Sequence, residues 1–280
     1  MKTFSVIGAG RVGTALWRTL SSTGRFEADL LVDRSAKEKL SGAVEPDSVS
    51  EVASDIVLIT TQDDAIEDAS KWLSAVISGP AVVLHTSGSR SSEVLGDLRA
   101  RECSVGSMHP LLSIAGGDTQ EIARGAYYCI EGDASAVAAA TELVKALGGR
   151  SVTVATPAKP LYHAAAVLAC GHVVALFELA LRSMSAAGIE RETAYSMLEP
   201  LVRGTVDGIF ERGTEAALTG PFARADRSTI RLNLDAINEH ISPEIAEIYR
   251  LLGGVSLELA AENGVDVRPA IKELSKPNSQ

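Results

Sequence analysis

The sequence predicts an α/β fold in two parts: a doubly wound parallel sheet covered by helices, followed by an all-helical second half. From the N-terminus to about residue 155, short β-prone runs alternate with helical segments, a pattern typical of a parallel sheet with helices on both faces. After Pro157 the β-prone runs stop and apolar residues recur at helical spacing. A chain of 280 residues suits two domains, which we place at residues 1–155 and 156–280.

The first strand, turn and helix contain a glycine motif. A β-prone run at residues 3–7 leads into Gly-Ala-Gly-Arg-Val-Gly and then into helical spacing over 14–20. In such a G-x-G-x-x-G, Gly8 permits the turn, Gly10 lets the backbone approach a pyrophosphate, and Gly13 lets the helix pack closely on the strand. The helix N-terminus then offers N–H donors to phosphates. The motif predicts a dinucleotide site formed by Gly8, Ala9, Gly10, Arg11, Val12 and Gly13.

Asp33 closes the second β-prone run, 20 residues after Gly13. A carboxylate at this place can accept hydrogen bonds from the ribose hydroxyls of NAD. Arg34 and Ser35 could instead bind the 2′-phosphate of NADP if Asp33 turns aside, and an exposed charged turn is a third interpretation. The predicted cofactor is therefore NAD(P), with both forms open.

The remaining elements of the first half follow in order. Helices are expected at 35–40, 63–78, 91–101 and 134–147, and strands at 55–60, 81–85, 105–108, 127–130 and 151–154. The run at 55–60 is nearly all apolar, as in a parallel strand buried on both faces.

The second half begins with one long predicted helix, 161–187, capped by Gly188, and continues with helices near 190–211, 226–239, 243–263 and 267–275. The long helix is apolar around much of its circumference, so we expect it to be buried on several sides, partly by a second subunit in a homodimer. His172 and Glu178 interrupt it, which favours a buried helix over a membrane span, with His172 as a core residue.

Composition narrows the functional classes. A net charge of -10 argues against binding nucleic acid or an anionic membrane, because the overall field repels polyanions. The three cysteines, Cys103, Cys129 and Cys170, are far apart, so neither a metal site nor a disulfide framework is indicated. The N-terminus enters its first strand without a signal-peptide pattern. We therefore expect a cytoplasmic protein that acts on a small molecule.

Several motifs together resemble a known family. VIGAGRVGTAL, TTQDDAI, HTSGS, GSMHPL, LYHAAAVLACGHVVAL and LTGPFARADRSTI are similar to bacterial oxidoreductases that pair a Rossmann-like domain with a helical C-terminal domain of unknown function, DUF2520, in the 6-phosphogluconate-dehydrogenase-like superfamily. The resemblance implies that fold, an NAD(P) cofactor, and cofactor contacts from Thr61 and Gln62, where a Val-Pro pair is usual. Cys170-Gly171 stands where Ser-Asn is common.

Three candidate catalytic residues come from this combined interpretation. Ser87 and His109 each follow a strand, and ligands of open α/β sheets bind beyond the carboxyl ends of the strands. Ser87 could bind the carboxamide or a substrate oxygen, or it could only cap the next helix. His109 could bind an anion or donate a proton, or make a loop contact. His163 lies one turn into the long helix, where related dehydrogenases place a catalytic polar group, and is the candidate general acid.

Arg224 is the fourth candidate. It lies between two predicted helices, where its guanidinium could bind a substrate carboxylate or phosphate, or form a purely structural turn with Asp226, the expected N-cap of the following helix.

Together these features predict an oxidoreductase that moves a hydride between NAD(P) and a small polar C=O or C=N substrate. The alternative is a nucleotide-binding regulatory or scaffold protein without turnover. No lysine is recognised at the catalytic position of the helical domain, and this keeps the alternative open.

Overall fold

The computed structural model describes residues 1–35, 42–112 and 125–275. The chain forms two compact units, Met1–Cys170 and Gly171–Gln280. Most of the helix predicted at 35–40 lies outside the described residues.

The first unit is built on a seven-stranded sheet with the order β2-β1-β3-β4-β5-β6-β7. Strands β1 to β5 pair in parallel, β6 is antiparallel to β5, and β7 is parallel to β6. The sheet is therefore mostly parallel, and the antiparallel β6 is a feature that the alternation of elements did not predict. The strands are β1 Lys2–Ile7, β2 Phe26–Val32, β3 Ile56–Ile59, β4 Val82–His85, β5 Ser104–Leu111, β6 Tyr127–Gly132 and β7 Arg150–Thr153.

Helices cover the sheet, and every residue of β3 is buried between them. One apolar cluster includes Phe4 and Leu58, and the other includes Val57 and Ile59, because side chains alternate between the two faces of a strand. The segment expected as an α-helix at 91–101 is a 3₁₀ helix. The α-helices are α1 Arg11–Ser22, α2 Ile66–Val76, α3 Ala134–Ala146 and α4 Lys159–Ala169, and the 3₁₀ segments are Pro46–Ser48, Asp63–Ala65, Ser92–Arg101 and Thr156–Ala158.

Strand β5 is longer than the sequence predicted. It runs to Leu111 because β6 pairs with it along that whole stretch. His109 therefore lies within the strand and not beyond its end, opposite Cys129 of β6, while Ser107 lies opposite Glu131.

The long helix predicted over 161–187 is interrupted. Cys170 has φ -123° and ψ -77°, outside the helical region, and separates α4 from the next helix. The two compact units divide at this point. Helix α4 thus belongs with the sheet, where Lys159 is fully buried, whereas the boundary expected near residue 155 placed it in the helical half.

The second unit is helical throughout the part of the chain that the structure describes. Leu181, Ala194 and Leu198 form one buried cluster, and Ile230, Leu234 and Leu257 belong to another. Gly188 ends the first helix with φ 86°, as expected for a C-cap. The helices are α5 Gly171–Ala186, α6 Arg191–Arg212, α7 Thr214–Ala217, α8 Gly220–Ala223, α9 Arg227–His240, α10 Pro243–Glu262 and α11 Arg268–Leu274.

One stretch, Thr156–Ala186, is long and apolar enough to cross a membrane by length and composition, with a mean hydropathy of 2.0. Within the single chain only 6% of that window is buried. His172, expected in the core, is exposed. Lys159, near the start of this stretch, is nevertheless fully buried in the sheet unit, so the first part of the stretch belongs to a folded domain.

Candidate active site

The glycine loop has the geometry that its sequence predicts. Gly8 has φ +103°, a conformation that side chains disfavour. A Cβ at Gly13 would lie closer than 3.0 Å to the Gly8 carbonyl oxygen and to Thr60 Oγ1, so helix α1 packs directly on the loop. A Cβ at Gly10 would meet no atom of the described residues within 4 Å. The three glycines thus match the turn, the close packing and the open approach expected of a dinucleotide loop.

A cavity of about 720 Å³ opens beside this loop. It lies at the carboxyl ends of β1, β2 and β3, where the strand order reverses around β1. In open α/β sheets such a switch point is where ligands bind. Seven residues of the predicted cofactor set line the cavity: Gly8, Gly10, Asp33, Arg34, Ser35, Thr61 and Gln62.

Asp33 fastens the loop to the end of β2. Its Oδ2 accepts a hydrogen bond of 2.6 Å from the Ala9 N–H, and its Oδ1 accepts bonds of 2.8 Å from both the backbone and the hydroxyl of Ser35. Its carboxylate therefore already has a structural role. The cavity wall also carries Glu45, Asp47 and Asp68, so acidic groups outnumber the single cation Arg34 among the described lining residues.

A second group of side chains lies where β4 and β5 meet helix α4. His109 Nδ1 is 2.9 Å from the Tyr162 hydroxyl, and the rings of His109 and His163 meet edge to face with centroids 5.8 Å apart. A Cβ at Gly88 would lie 2.8 Å from His109 Nε2 and still closer to His163 Nδ1. The structure thus brings together His109 and His163, and it adds Tyr162 and Gly88. We refer to His109, Tyr162 and His163 as the histidine cluster.

Two members of the histidine cluster, His109 and Tyr162, have shifted pKa values. Burial, aided by Lys159 and His163 and opposed by Asp63, lowers the pKa of His109 to about 4. Burial raises the pKa of Tyr162. At neutral pH the pair therefore consists of a neutral imidazole and a protonated phenol, so His109 does not act as an imidazolium there. His163 Nδ1 is buried, and within residues 1–35, 42–112 and 125–275 it has no hydrogen-bond partner.

Ser87 has a local role. Its hydroxyl donates to Asp63 Oδ2 at 2.8 Å and accepts from the N–H groups of Ser89 and Arg90 at 3.2 and 3.0 Å. These bonds shape the turn before the 3₁₀ helix Ser92–Arg101, whose N-cap is Ser91, so Ser87 does not cap that helix as the alternative expected, and a contact with substrate stays a prediction. Asp63, which sequence reasoning did not single out, also accepts from the Ser89 hydroxyl at 2.7 Å and so ties this turn to the segment after β3.

Lys159 is the other residue that sequence reasoning missed. Its side chain is fully buried beside Ser107 of β5 and Glu131 of β6. Its spacing of four residues from His163 was a usable signal, because residues at i and i+4 share one face of a helix.

Arg224 belongs to the second unit, where it is exposed after α8. Asp226 caps α9, as expected, by accepting bonds from the Thr229 N–H at 3.2 Å and hydroxyl at 2.8 Å. Asn233, on the same helix, donates to the Tyr249 hydroxyl at 2.9 Å. Anion binding by Arg224 stays a prediction.

Comparison with known proteins adds family and fold. Residues 126–255 match the model of a domain of unknown function, DUF2520, from just before β6 into α10. This match confirms the resemblance found in the sequence. A comparison with curated proteins gives no match.

Solved structures are similar over most of the chain. TM1727 from Thermotoga maritima has a TM-score of 0.75 at 21% identity, covering 93% of this chain and 99% of its own. A reductive aminase from Aspergillus terreus, in complex with NADPH and ethyl levulinate, has 0.64 at 16%, covering 97% and 99%. Pyrroline carboxylate reductase from Plasmodium falciparum, with NADP bound, has 0.53 at 11%, covering 98% of both chains. At these identities the likeness establishes the fold, a Rossmann-type sheet with a helical C-terminal domain.

Proposed function

We propose that this protein is an NAD(P)-dependent oxidoreductase that moves a hydride between the nicotinamide and a small polar C=O or C=N compound. One observation carries the proposal: the dinucleotide loop and the histidine cluster lie along the same edge of one sheet. Strands β1, β3, β4 and β5 are successive parallel neighbours, so the loop after β1, the turn after β4 and His109, two residues beyond the last pair of β4 with β5, face the same side. Two proteins of similar structure, a reductive aminase and a pyrroline carboxylate reductase, are named for reductions of this class.

The residues of the loop fit a dinucleotide. Gly10 is the N-cap of α1 and offers no side-chain cap, and the first turn of α1 has no acidic residue. Helix N–H groups without an internal partner bind phosphate oxygens well. The open space at Gly10 leaves room for a diphosphate to approach the backbone. When bound, the cofactor supplies or accepts the hydride.

The histidine cluster supplies the proton side of the chemistry. A carbonyl oxygen or imine nitrogen gains negative charge as hydride arrives and needs a proton. His163 is the candidate donor, because its Nδ1 has no hydrogen-bond partner among the residues that the structure describes. Tyr162 and His109, which share a hydrogen bond, can orient the reacting group through a phenol O–H and a neutral ring. Positioned acid–base groups contribute about 10²- to 10⁴-fold to such rates.

Cofactor titration and substrate screening test the proposal in sequence. Fluorescence or calorimetric titration with NADH and NADPH should show saturable binding, and a screen of keto acids, hydroxy acids and imines should then show oxidation or reduction of the cofactor. His163→Ala should lower turnover about 100-fold or more and leave cofactor affinity unchanged. If the cofactor binds tightly and no compound turns over, the protein is a nucleotide-binding regulator or scaffold. If neither cofactor binds, the nucleotide site itself is refuted.

We also propose that the second unit forms a homodimer. A groove of about 690 Å³ between α5 and α6 is lined mainly by apolar side chains. Val174, which lines the groove, is 70% exposed, and Leu201 on α6 is 64% exposed, more than isolated surface positions require. Arg203 and Asp207 lie at this groove, so a two-fold axis could pair opposite charges of two copies.

The cytoplasmic location expected from the sequence remains a proposal, and the free cysteines Cys103, Cys129 and Cys170 are compatible with it.

A further inference from the structure

A buried ion pair lies under the histidine cluster. Lys159 Nζ is 3.9 Å from Glu131 Oε1, and both side chains have no exposed surface. Lys159 also donates to the Ser107 hydroxyl, while Glu131 accepts bonds of 2.8 Å from both the N–H and the hydroxyl of Ser92. Burying two charges costs several kcal/mol per ion, and apolar residues of similar volume often stabilise a fold as well or better. Apolar residues could therefore hold α4 against the sheet equally well, so packing alone does not explain why an ion pair is buried here.

The geometry links the pair to the histidine cluster above it. Ser107 and His109 are two residues apart on β5 and so lie on one face of the sheet, each beside its partner on β6. Lys159 and Tyr162 are three residues apart on α4 and so lie on one face of the helix. Lys159 reaches Ser107 while Tyr162 reaches His109. Two contacts thus fix the position of α4 along β5. One joins Tyr162 to His109, and the other joins Lys159, the cation of the buried ion pair, to Ser107.

The charge of Lys159 also acts on His109. After burial, the largest influence that lowers the pKa of His109 is this lysine, followed by His163, while Asp63 opposes them. Tyr162, the direct neighbour, carries no charge at neutral pH because burial raises its pKa. The cation thus favours the neutral form of His109, which can accept a hydrogen bond at one ring nitrogen.

We propose that Lys159, held by Ser107 and Glu131, is a positioning residue that sets the contact between Tyr162 and His109. The inference deepens the proposed function, on which it rests. The contact presents the phenol O–H of Tyr162 and the neutral imidazole of His109 to the reacting group. Lys159 itself is enclosed by protein and does not touch the substrate in this scheme.

Nuclear magnetic resonance of labelled histidines tests the proposal without a substrate or cofactor. In the wild-type protein, His109 should stay neutral between pH 5 and 8. In Lys159→Met, its pKa should rise by about one unit or more, since removing a like charge that acts on a buried histidine favours the protonated ring. Loss of the Tyr162 contact should also change the shift of His109 Nδ1. Lys159→Arg, which keeps the charge, should leave the pKa low.

Two further variants keep the result interpretable. Lys145→Met removes an exposed lysine from α3 and should change neither signal. The double variant Lys159→Met with Glu131→Gln removes both buried charges, so it folds even if the single change leaves an intolerable unpaired carboxylate. It should still raise the pKa of His109, because Glu131 is not among the groups that set it.

A folded double variant with an unchanged His109 pKa and Nδ1 shift overturns the positioning role, as does a wild-type His109 that titrates near 6.5. Failure of NADH and NADPH to bind the wild-type protein instead refutes the proposed function, and the two failures are independent.

Discussion

Replacing Gly13 by alanine should destabilise the fold, whereas replacing Gly10 by alanine should leave stability unchanged and weaken dinucleotide binding. The two glycines belong to one motif and are three residues apart, yet the structure gives them different surroundings. A Cβ at Gly13 would lie closer than 3.0 Å to the Gly8 carbonyl oxygen and Thr60 Oγ1. A Cβ at Gly10 would meet nothing within 4 Å, and the residue has φ -70°, which alanine adopts readily.

The magnitudes follow from these surroundings. The nearest obstacle to a Cβ at Gly13 is the backbone oxygen of Gly8, which moves away only if α1 and the loop separate, and overpacking of this kind costs about 1–3 kcal/mol. Alanine regains up to about 1 kcal/mol of helix propensity, so a net loss of about 1–2 kcal/mol is expected. At Gly10 the change in stability should stay within about 0.5 kcal/mol. Its methyl group would stand where the diphosphate approaches, and about tenfold weaker binding corresponds to 1.4 kcal/mol.

Urea unfolding and NADH titration measure the two effects separately. Gly13→Ala should shift the urea midpoint downward at an unchanged slope, and Gly10→Ala should keep the wild-type midpoint with a raised Kd. Equal stability losses in both variants would show that Gly10 is also packed against protein. Wild-type affinity in Gly10→Ala would show that the diphosphate lies elsewhere, which refutes the assignment of the loop.

Three further predictions address other parts of the molecule. Asp33→Asn should weaken NADH binding more than NADPH binding, because it removes a charge that favours ribose hydroxyls and repels a 2′-phosphate; titration with both cofactors checks the ratio, and an unchanged ratio contradicts it. Leu201→Asp should convert the proposed dimer to a monomer in light scattering while circular dichroism stays unchanged, and a wild-type protein that is already monomeric rules the dimer out. His85 and His109 both have a pKa lowered to about 4 in the folded protein, against about 6.5 in the unfolded chain. Between these two values the unfolded chain binds protons that the folded protein does not, so stability is full above pH 6.5 and is lost as the pH falls towards 4. The free energy of unfolding should therefore fall with a slope approaching about 2.7 kcal/mol per pH unit across that window, and His109→Gln should halve the slope in urea titrations.

Local patterns predicted the first unit well because local physics determines those elements. The turn at Gly8, the close packing at Gly13 and the carboxylate of Asp33 depend on residues adjacent in sequence or on the next strand, and the motif states their spacing directly. The C-cap at Gly188 and the N-cap at Asp226 are equally local, and both are present in the structure. Strand direction is not local, which is why the antiparallel pairing of β6 with β5 was not predicted.

The histidine cluster could be predicted only in part, for a related reason. His109 and His163 were identified by their residue type, but their meeting depends on how α4 lies on β5. What fixes α4 is Lys159, and a pattern of apolar periodicity treats a lysine at a helix start as solvent-exposed, because isolated lysines are almost never fully buried. Its partner Glu131 comes from a strand that pairs in the direction that the sequence did not predict. The antiparallel direction of β6 and the burial of Lys159 were therefore missed for the same reason. Without the correct strand direction, no carboxylate is expected near Lys159 to compensate its buried charge. A lysine four residues from a candidate catalytic histidine is then assigned to the surface.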